Sequence, residues 1–386
     1  MRATRALAAA GAAAATIALA AGCGSGGSGT TSASGGANAA ASSTDWATAT
    51  SAAAGGGMNA LIAAARKEGH LNVITLPADW ANYGTIMKDF TAKYGIQITD
   101  ENPDGTSQDE LNAISQTKGQ SRAPDVVDVG TAFAAKGQQE GLWAPYKVAT
   151  WNDIPASSKD PDGLYYADYG GYVAIGYDSS RVKTPPTSFK SLLSPQYKNM
   201  VALNGSPTQA GAAFAGVYAA ALANGGSFAN IAPGIAYFRQ LKQAGNFVPV
   251  TGSASTMESG QTPILIWWDY LLASEVGATY KNLKIVIPSD AHYAAYYDQA
   301  VSKYAPHPAA ARLWEEFLYS AEGQNLFLEG GTRPIELPTL VADGTVDKKA
   351  YAALPPAPPG GITFPSIAQQ DAAETVVAQQ WPSVSG

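Results

Sequence analysis

The chain holds one cysteine, Cys23, among 386 residues. No disulfide can form within it, so packing alone must hold the fold. Histidine is nearly as scarce, with His70, His292 and His307 the only three. Charged residues make up 14% of the chain, and 24 Lys and Arg stand against 31 Asp and Glu, a net charge of −7. No run of like charge interrupts this balance, which argues against nucleic acid, since that partner needs clustered basic surface. Also absent are G-x-S-x-G, H-E-x-x-H, a Walker A loop and S-x-x-K paired with K-T-G. His70 precedes a strand and His307 opens a helix, so only His292 lies near a candidate cleft. The pair Glu315-Glu316 reads as the solvated face of a helix. Little is left for catalysis, and neither a cofactor nor a metal is expected.

What the sequence does have begins at its N-terminus. Arg2 and Arg5 supply a positive start, Ala6 to Ala21 is uncharged and apolar, and Ala20, Ala21 and Gly22 are small. This is the pattern of a secretory signal. With Cys23 directly after the small residues, the segment resembles the lipobox of bacterial lipoproteins. The resemblance implies cleavage after residue 22 and a diacylglycerol on Cys23, anchoring the protein to the outer face of the cytoplasmic membrane. The alternative is an ordinary signal peptide with an incidental cysteine. Apart from Cys23, Asn38, Asp45 and Trp46, residues 23–57 are Gly, Ser, Ala and Thr with little to bury, and they read as a flexible tether. Its length gives a reach of roughly 30 Å. Gly22, Gly24 and Gly27 fit G-x-G-x-x-G by composition only, with no strand before and no helix after. No later apolar run is long enough to span a bilayer.

From Met58 onward, strand and helix signals alternate. A helix over 59–67 stops at Gly69, strands follow at 71–76, 96–99 and 125–129, and helices lie between them. A second series starts with the strand 172–177. It continues with strands at 200–203, 263–267 and 283–287 and helices at 209–223 and 235–243. Pro308 opens a strong helix to Tyr319, and 367–381 closes the chain. Strand–helix alternation implies an α/β fold with mostly parallel sheets, whose ligands sit beyond the carboxyl ends of the strands. The loops starting at Pro77, Asn102 and Gly130 are therefore candidate site loops, with Thr106 and Thr131 as candidate contacts.

The run Tyr304-Ala-Pro-His-Pro-Ala-Ala-Ala-Arg-Leu-Trp-Glu-Glu-Phe-Leu-Tyr-Ser-Ala-Glu-Gly-Gln resembles the C-terminal part of type-2 periplasmic binding proteins, the solute receptors of ABC importers. Ser188 to Leu203 resembles the entry to their second lobe. Asp79-Trp80-Ala81-Asn82-Tyr83 resembles the first ligand loop of spermidine/putrescine receptors. The resemblance covers residues 71–334. It implies two lobes, each a mostly parallel sheet flanked by helices, joined by a two-crossover hinge. The expected division is 58–170 for the first lobe, 171–290 for the second and 291–386 for the return. It also implies a monomer that hands a small solute to an ABC permease.

For the site, the resemblance to polyamine receptors points to Trp80 and Tyr83 in the first loop and to Trp267 or Trp268, with Asp269, at the end of a second-lobe strand. It points also to Tyr296-Tyr297-Asp298 at the crossover. Aromatic faces hold organic cations and a carboxylate fixes the ammonium, a role expected of Asp298. One departure stands out. The loop Asn204-Gly205-Ser206-Pro207-Thr208-Gln209 has no carboxylate where polyamine receptors have one. Ser206 and Thr208 either cap the following helix or help to hold an anion. The expected solute is thus a polyamine or a molecule with an amine and an acidic group, such as an aminoalkylphosphonate. A ferric-ion or other anion-binding receptor of the same fold and an exported enzyme are the alternatives. Against iron, Trp267-Trp268 occupies the place of the paired tyrosines of ferric receptors.

Overall fold

The computed structural model describes residues 45–355 and 364–385. The signal segment, Cys23 and the first part of the tether lie outside them. Ten strands are present among the described residues: β1 His70–Ile74, β2 Gln97–Glu101, β3 Val126–Gly130, β4 Trp143–Ala144, β5 Tyr166–Asp178, β6 Val201–Leu203, β7 Ile264–Trp268, β8 Leu283–Val286, β9 Ala294–Ser302 and β10 Arg333–Pro334. The local signals act as the sequence suggests. The helix Met58–Glu68 ends on Gly69 at φ 70°, a left-handed conformation that favours glycine. Thr106 caps the helix Ser107–Thr117 in a capping box with Asp109. Pro308 opens the helix Pro308–Leu318.

β1 pairs with β2, and β6 with β7, both parallel. The larger sheet runs β3-β9-β5-β7-β6. Its central strands, β5 and β9, pair antiparallel with each other and with all their other neighbours. The expectation of mostly parallel sheets therefore holds for the strand–helix units and not for the crossovers. A strand that carries the chain from one half to the other and back runs against the strands it joins. β5 shows the change of half within one element. Its start, to Tyr172, pairs with β9 and β10, and from Val173 it pairs with β7 and β8.

Three sequence readings change. The tether was drawn to Gly57, yet residues 45–57 pack as a series of turns with Trp46, Ala49 and Ala52 buried. The buried Arg312 holds them, donating from Nε to Ala49 O at 2.8 Å and from Nη2 to Ala47 O at 3.0 Å. Glu315 and Glu316 are buried, not solvated, because the helix Pro308–Leu318 is enclosed on every side. Tyr146 and the Ala149 amide donate to Glu316, while Glu315 finds no partner and burial raises its carboxyl well above the usual range. The strand expected at 172–177 begins six residues earlier, at Tyr166.

The helix Gly211–Ala223 is apolar almost all round and lies in the core. Its small residues admit close neighbours: a Cβ on Gly234, in the helix Ala232–Gln243, would stand 2.1 Å from Val217 O. The C-terminal helices Ile367–Gln380 and Pro382–Ser385 lie across both halves. Gln139, at the end of the helix Thr131–Gln139, donates to Asp371 at 2.8 Å. Tyr218 donates to Gln369 O at 2.9 Å and Arg239 to Ser383 at 2.9 Å. Trp381 is buried edge-on against Phe238 and Phe247. No helix among the described residues is long and apolar enough to cross a membrane.

Candidate ligand-binding cleft

A cleft of about 460 Å³ lies beyond the ends of β1, β2, β6 and β7 and alongside β3, a size usual for small-molecule sites. From the first half it is lined by Thr75, Asp79, Trp80, Asp104, Glu110 and Asp128. The second half supplies Asn204, Ser206, Gly211, Trp267 and Glu275, and β9 supplies Tyr297. The halves touch across it: the Gln108 amide donates to Gln209 O at 3.3 Å. A Cβ on Gly130 would stand 3.1 Å from the Gly211 Cα, so glycine at both places permits this approach. Thr75 takes φ 59°, unusual for a β-branched residue. It is held there by its amide on Glu101 O at 3.0 Å and its hydroxyl on Asn102 O at 3.2 Å.

Asp128 is buried on β3 and lines the cleft. Its Oδ2 accepts from Tyr169 at 2.7 Å and Tyr83 at 2.9 Å, while Oδ1 has no partner. Burial pushes this carboxyl up to about 7, against the lowering effect of the two tyrosines. Trp80 Nε1 donates to the Tyr169 hydroxyl at 2.5 Å, which ties the first loop to the same network. Glu110 accepts from the Asp128 amide at 3.1 Å, and burial followed by the charge of Asp128 raises its carboxyl well above normal. Glu275 reaches the cleft from the turn Leu272–Val276. Burial, then Asp79 and Asp104, push it up to about 8.

Of the residues singled out in the sequence, Trp80, Thr106, Ser206 and Trp267 line the cleft. Thr208 stands behind it, 2.8 Å from the Ser206 hydroxyl. The others lie elsewhere. Tyr83 is fully buried and acts on Asp128 from within. Trp268 points to the opposite face of β7, its Nε1 3.5 Å from the Tyr297 hydroxyl. Asp269 accepts from the Tyr172 amide at 2.8 Å and pairs with Arg333 at 3.1 Å, fixing the hinge side of β5. Tyr296, Asp298 and Thr131 line small cavities behind β9, under Phe364 and Gln370. The alternation of β9 explains this, since Tyr297 faces the cleft and its two neighbours must face away. Asp298 is buried with Oδ2 unpartnered, and burial pushes it up to about 8. His292 does not line the cleft, and His70 and His307 are boundary residues bonded to Thr99 and Asp125. Asp79, Asp104, Glu110, Asp128 and Glu275 were not singled out as contacts. Asp79 and Asp104 stand in loops, Glu110 in the helix Ser107–Thr117, Asp128 on β3 and Glu275 in the turn Leu272–Val276, and nearness to flagged loops was the only signal.

Residues 121–357 match the family of bacterial extracellular solute-binding proteins, and the chain belongs to that family. Solved structures with the same fold are two-lobed periplasmic binding proteins. The chain is similar to AfuA from Actinobacillus pleuropneumoniae, solved with fructose-6-phosphate bound, at a TM-score of 0.61 and 18% identity over 81% of this chain and 97% of that one. It is similar also to the ferric binding protein of Campylobacter jejuni, with a TM-score of 0.60 and 17% identity over 81% and 99% of the two chains. A putative spermidine/putrescine ABC transporter protein from Listeria monocytogenes follows, with a TM-score of 0.57 and 14% identity over 74% and 88%. Identities this low carry the fold and not the cargo.

Proposed function

We propose that the protein is the extracytoplasmic receptor of an ABC importer and that its cleft captures a small amine-bearing solute without altering it. The observation that carries this reading is the acidic make-up of the lining, with no basic side chain among the described lining residues to oppose a cation. Five carboxyl groups (Asp79, Asp104, Glu110, Asp128 and Glu275) line the cleft, and no Lys, Arg or His does so among the described residues. Asp128 lines the cleft with its Oδ1 buried and unpartnered, so the ammonium role moves from Asp298 to Asp128. Trp80, Trp267 and Tyr297 supply aromatic faces, each contributing about 0.5–2 kcal/mol with a cation. Ferric ion is less well served. Tyr297 is the one tyrosine among the described lining residues, and its hydroxyl already stands near Trp268 Nε1.

The lobes in this reading are 58–170 with 291–386, and 171–290, and the change of partners along β5 near Tyr172 supports the first boundary. Cys23 would carry the lipid anchor. Thermal-shift and calorimetric titration of the purified protein against amines, amino acids, sugars, phosphonates and ferric iron tests the function. One amine should bind per chain, and at 100 times its Kd it should add about 2.7 kcal/mol of stability. Binding confined to amine-free solutes would refute the amine reading, and a turnover lost in cleft variants would favour an enzyme.

A further inference from the structure

Asp298 takes no part in the cleft, yet it is 2% exposed in the middle of β9, paired with Val129 on one side and Ala167 on the other. Directly after Ala167 the register between β5 and β9 slips, an irregularity of the kind that re-aims side chains. The Asp298 Oδ2 has no hydrogen-bond partner, and burial pushes the carboxyl up to about 8 against the lowering effect of Thr131. A buried polar atom left unpaired calls for an explanation. Asp298 lines a cavity of about 30 Å³ behind β9, room enough for a bare ion or a water. Neutral oxygen-bearing side chains reach the same cavity from three other elements. Thr131 opens the helix Thr131–Gln139, Ser157 and Ser158 belong to the turn Ala156–Ser158, and the buried Gln370 comes from the helix Ile367–Gln380. No basic side chain lines it among the described residues. Ser157 is exposed, which gives the cavity a way in.

We propose that this cavity is a site for one alkali metal ion, sodium or potassium, held by Asp298, Thr131, Ser158 and Gln370. Such hard cations take oxygen ligands, and carboxylate, hydroxyl and amide oxygens are what the cavity offers. One carboxylate balances one positive charge. A divalent ion would leave a buried excess charge, and the described residues hold no group of three or more His, Cys, Asp or Glu to take it. The titratable groups that face Asp298 are Asp128 on β3, Asp168 on β5, Tyr165 just before β5 and Tyr319. None of these can carry a positive charge that would repel the ion. Because each ligand belongs to a different element, the ion would pin the C-terminal helix Ile367–Gln380 to β9.

Calorimetric unfolding of the mature protein and its Asp298→Asn variant in sodium, potassium, calcium and tetramethylammonium chlorides, at equal ionic strength, tests the site. The readout is the wild-type shift minus the variant shift, which cancels salt effects on the rest of the molecule, the cleft included. Sodium or potassium should raise the wild-type Tm by at least ~2 °C over tetramethylammonium, and Asp298→Asn should lose most of that rise. The rise should be larger at about pH 9 than at about pH 6, because below about 8 a proton occupies the carboxylate and competes with the ion. Gln370→Leu removes one ligand oxygen and keeps the carboxylate. It should at least halve the rise, and it serves if the Asn variant fails to fold, as judged by its circular dichroism. No rise in either alkali salt, a rise undiminished in the variants that fold, or one indifferent to pH would overturn the site. A larger Asp298-dependent rise in calcium would overturn its assignment to a monovalent ion.

Discussion

Glu275→Gln tests the acidic lining through its pH dependence. Glu275 is held up to about 8 by burial and by Asp79 and Asp104, so in the free protein at neutral pH it is mostly protonated. An ammonium bound beside it interacts favourably with the ionised form only, so binding must release a proton. The affinity of the wild type for an amine should therefore fall as pH drops below about 8. Single-site linkage gives a weakening of about 25-fold, roughly 1.9 kcal/mol, from about pH 8.5 to about pH 6.5. The substitution keeps the size and removes the charge. At the higher pH it should weaken binding by at least ~10-fold, about 1.4 kcal/mol, and at the lower pH the two proteins should converge. Asp128, held at about 7, should leave a smaller slope in the variant below that pH. Titration calorimetry in two buffers of different ionisation enthalpy counts the released proton directly. Parallel pH profiles for wild type and variant, or no proton released, would refute the reasoning.

Three further outcomes are expected. Cys23→Ser should move the protein from the membrane fraction to the soluble exported fraction, read by fractionation and by mass spectrometry of the N-terminal peptide; an unlipidated wild type would refute the anchor. Arg312→Met should remove the guanidinium bonds to Ala47, Ala49 and Pro308. It should cost about 3 kcal/mol and speed hydrogen exchange across residues 45–57 first; unchanged exchange there would show that other contacts hold the segment. The ligand-free protein should lose stability as pH rises. Asp298 and Glu275 at about 8 and Asp128 at about 7 all stand above the unfolded range near 4. The stability they contribute is full below about pH 4 and is lost as pH climbs through 7 and 8. Calorimetric Tm should fall between about pH 6 and about pH 9, and Asp298→Asn should flatten part of that fall; a flat wild-type profile would refute it.

Much of the scaffold could be read in the sequence because its signals are local. Gly69 and Pro308 bound their helices as expected, and the loops after β1, β2 and β6 do form the cleft. The phase of each strand is what a single sequence hides. Trp267-Trp268 and Tyr296-Tyr297-Asp298 each place aromatic or acidic residues on both faces, so alternation alone could not say which face meets the solute. Tyr83 misled for another reason. As the first residue of the helix Tyr83–Tyr94 it turns inward to Asp128, a partner 45 positions away. The remaining acids were missed because a carboxylate in a loop is ordinary until a fold brings several together. Asp79, Asp104 and Glu275 are far apart in the chain and become a group only across the cleft.

The C-terminal helices also bear on how this receptor can move. Two strands passing between two bodies define an axis, and rotation about an axis needs nothing more. A third tie placed off that axis works as a stay, which permits travel only as far as it can bend, slide or let go. The bond from Gln139 to Asp371 and those from Tyr218 and Arg239 to the same terminal segment make such a stay. Any opening of the two halves would then have to bend or break the ties made by Gln369, Asp371 and Ser383 as well as turn about β5 and β9. A solute that leaves the cleft must do so within the gap they permit.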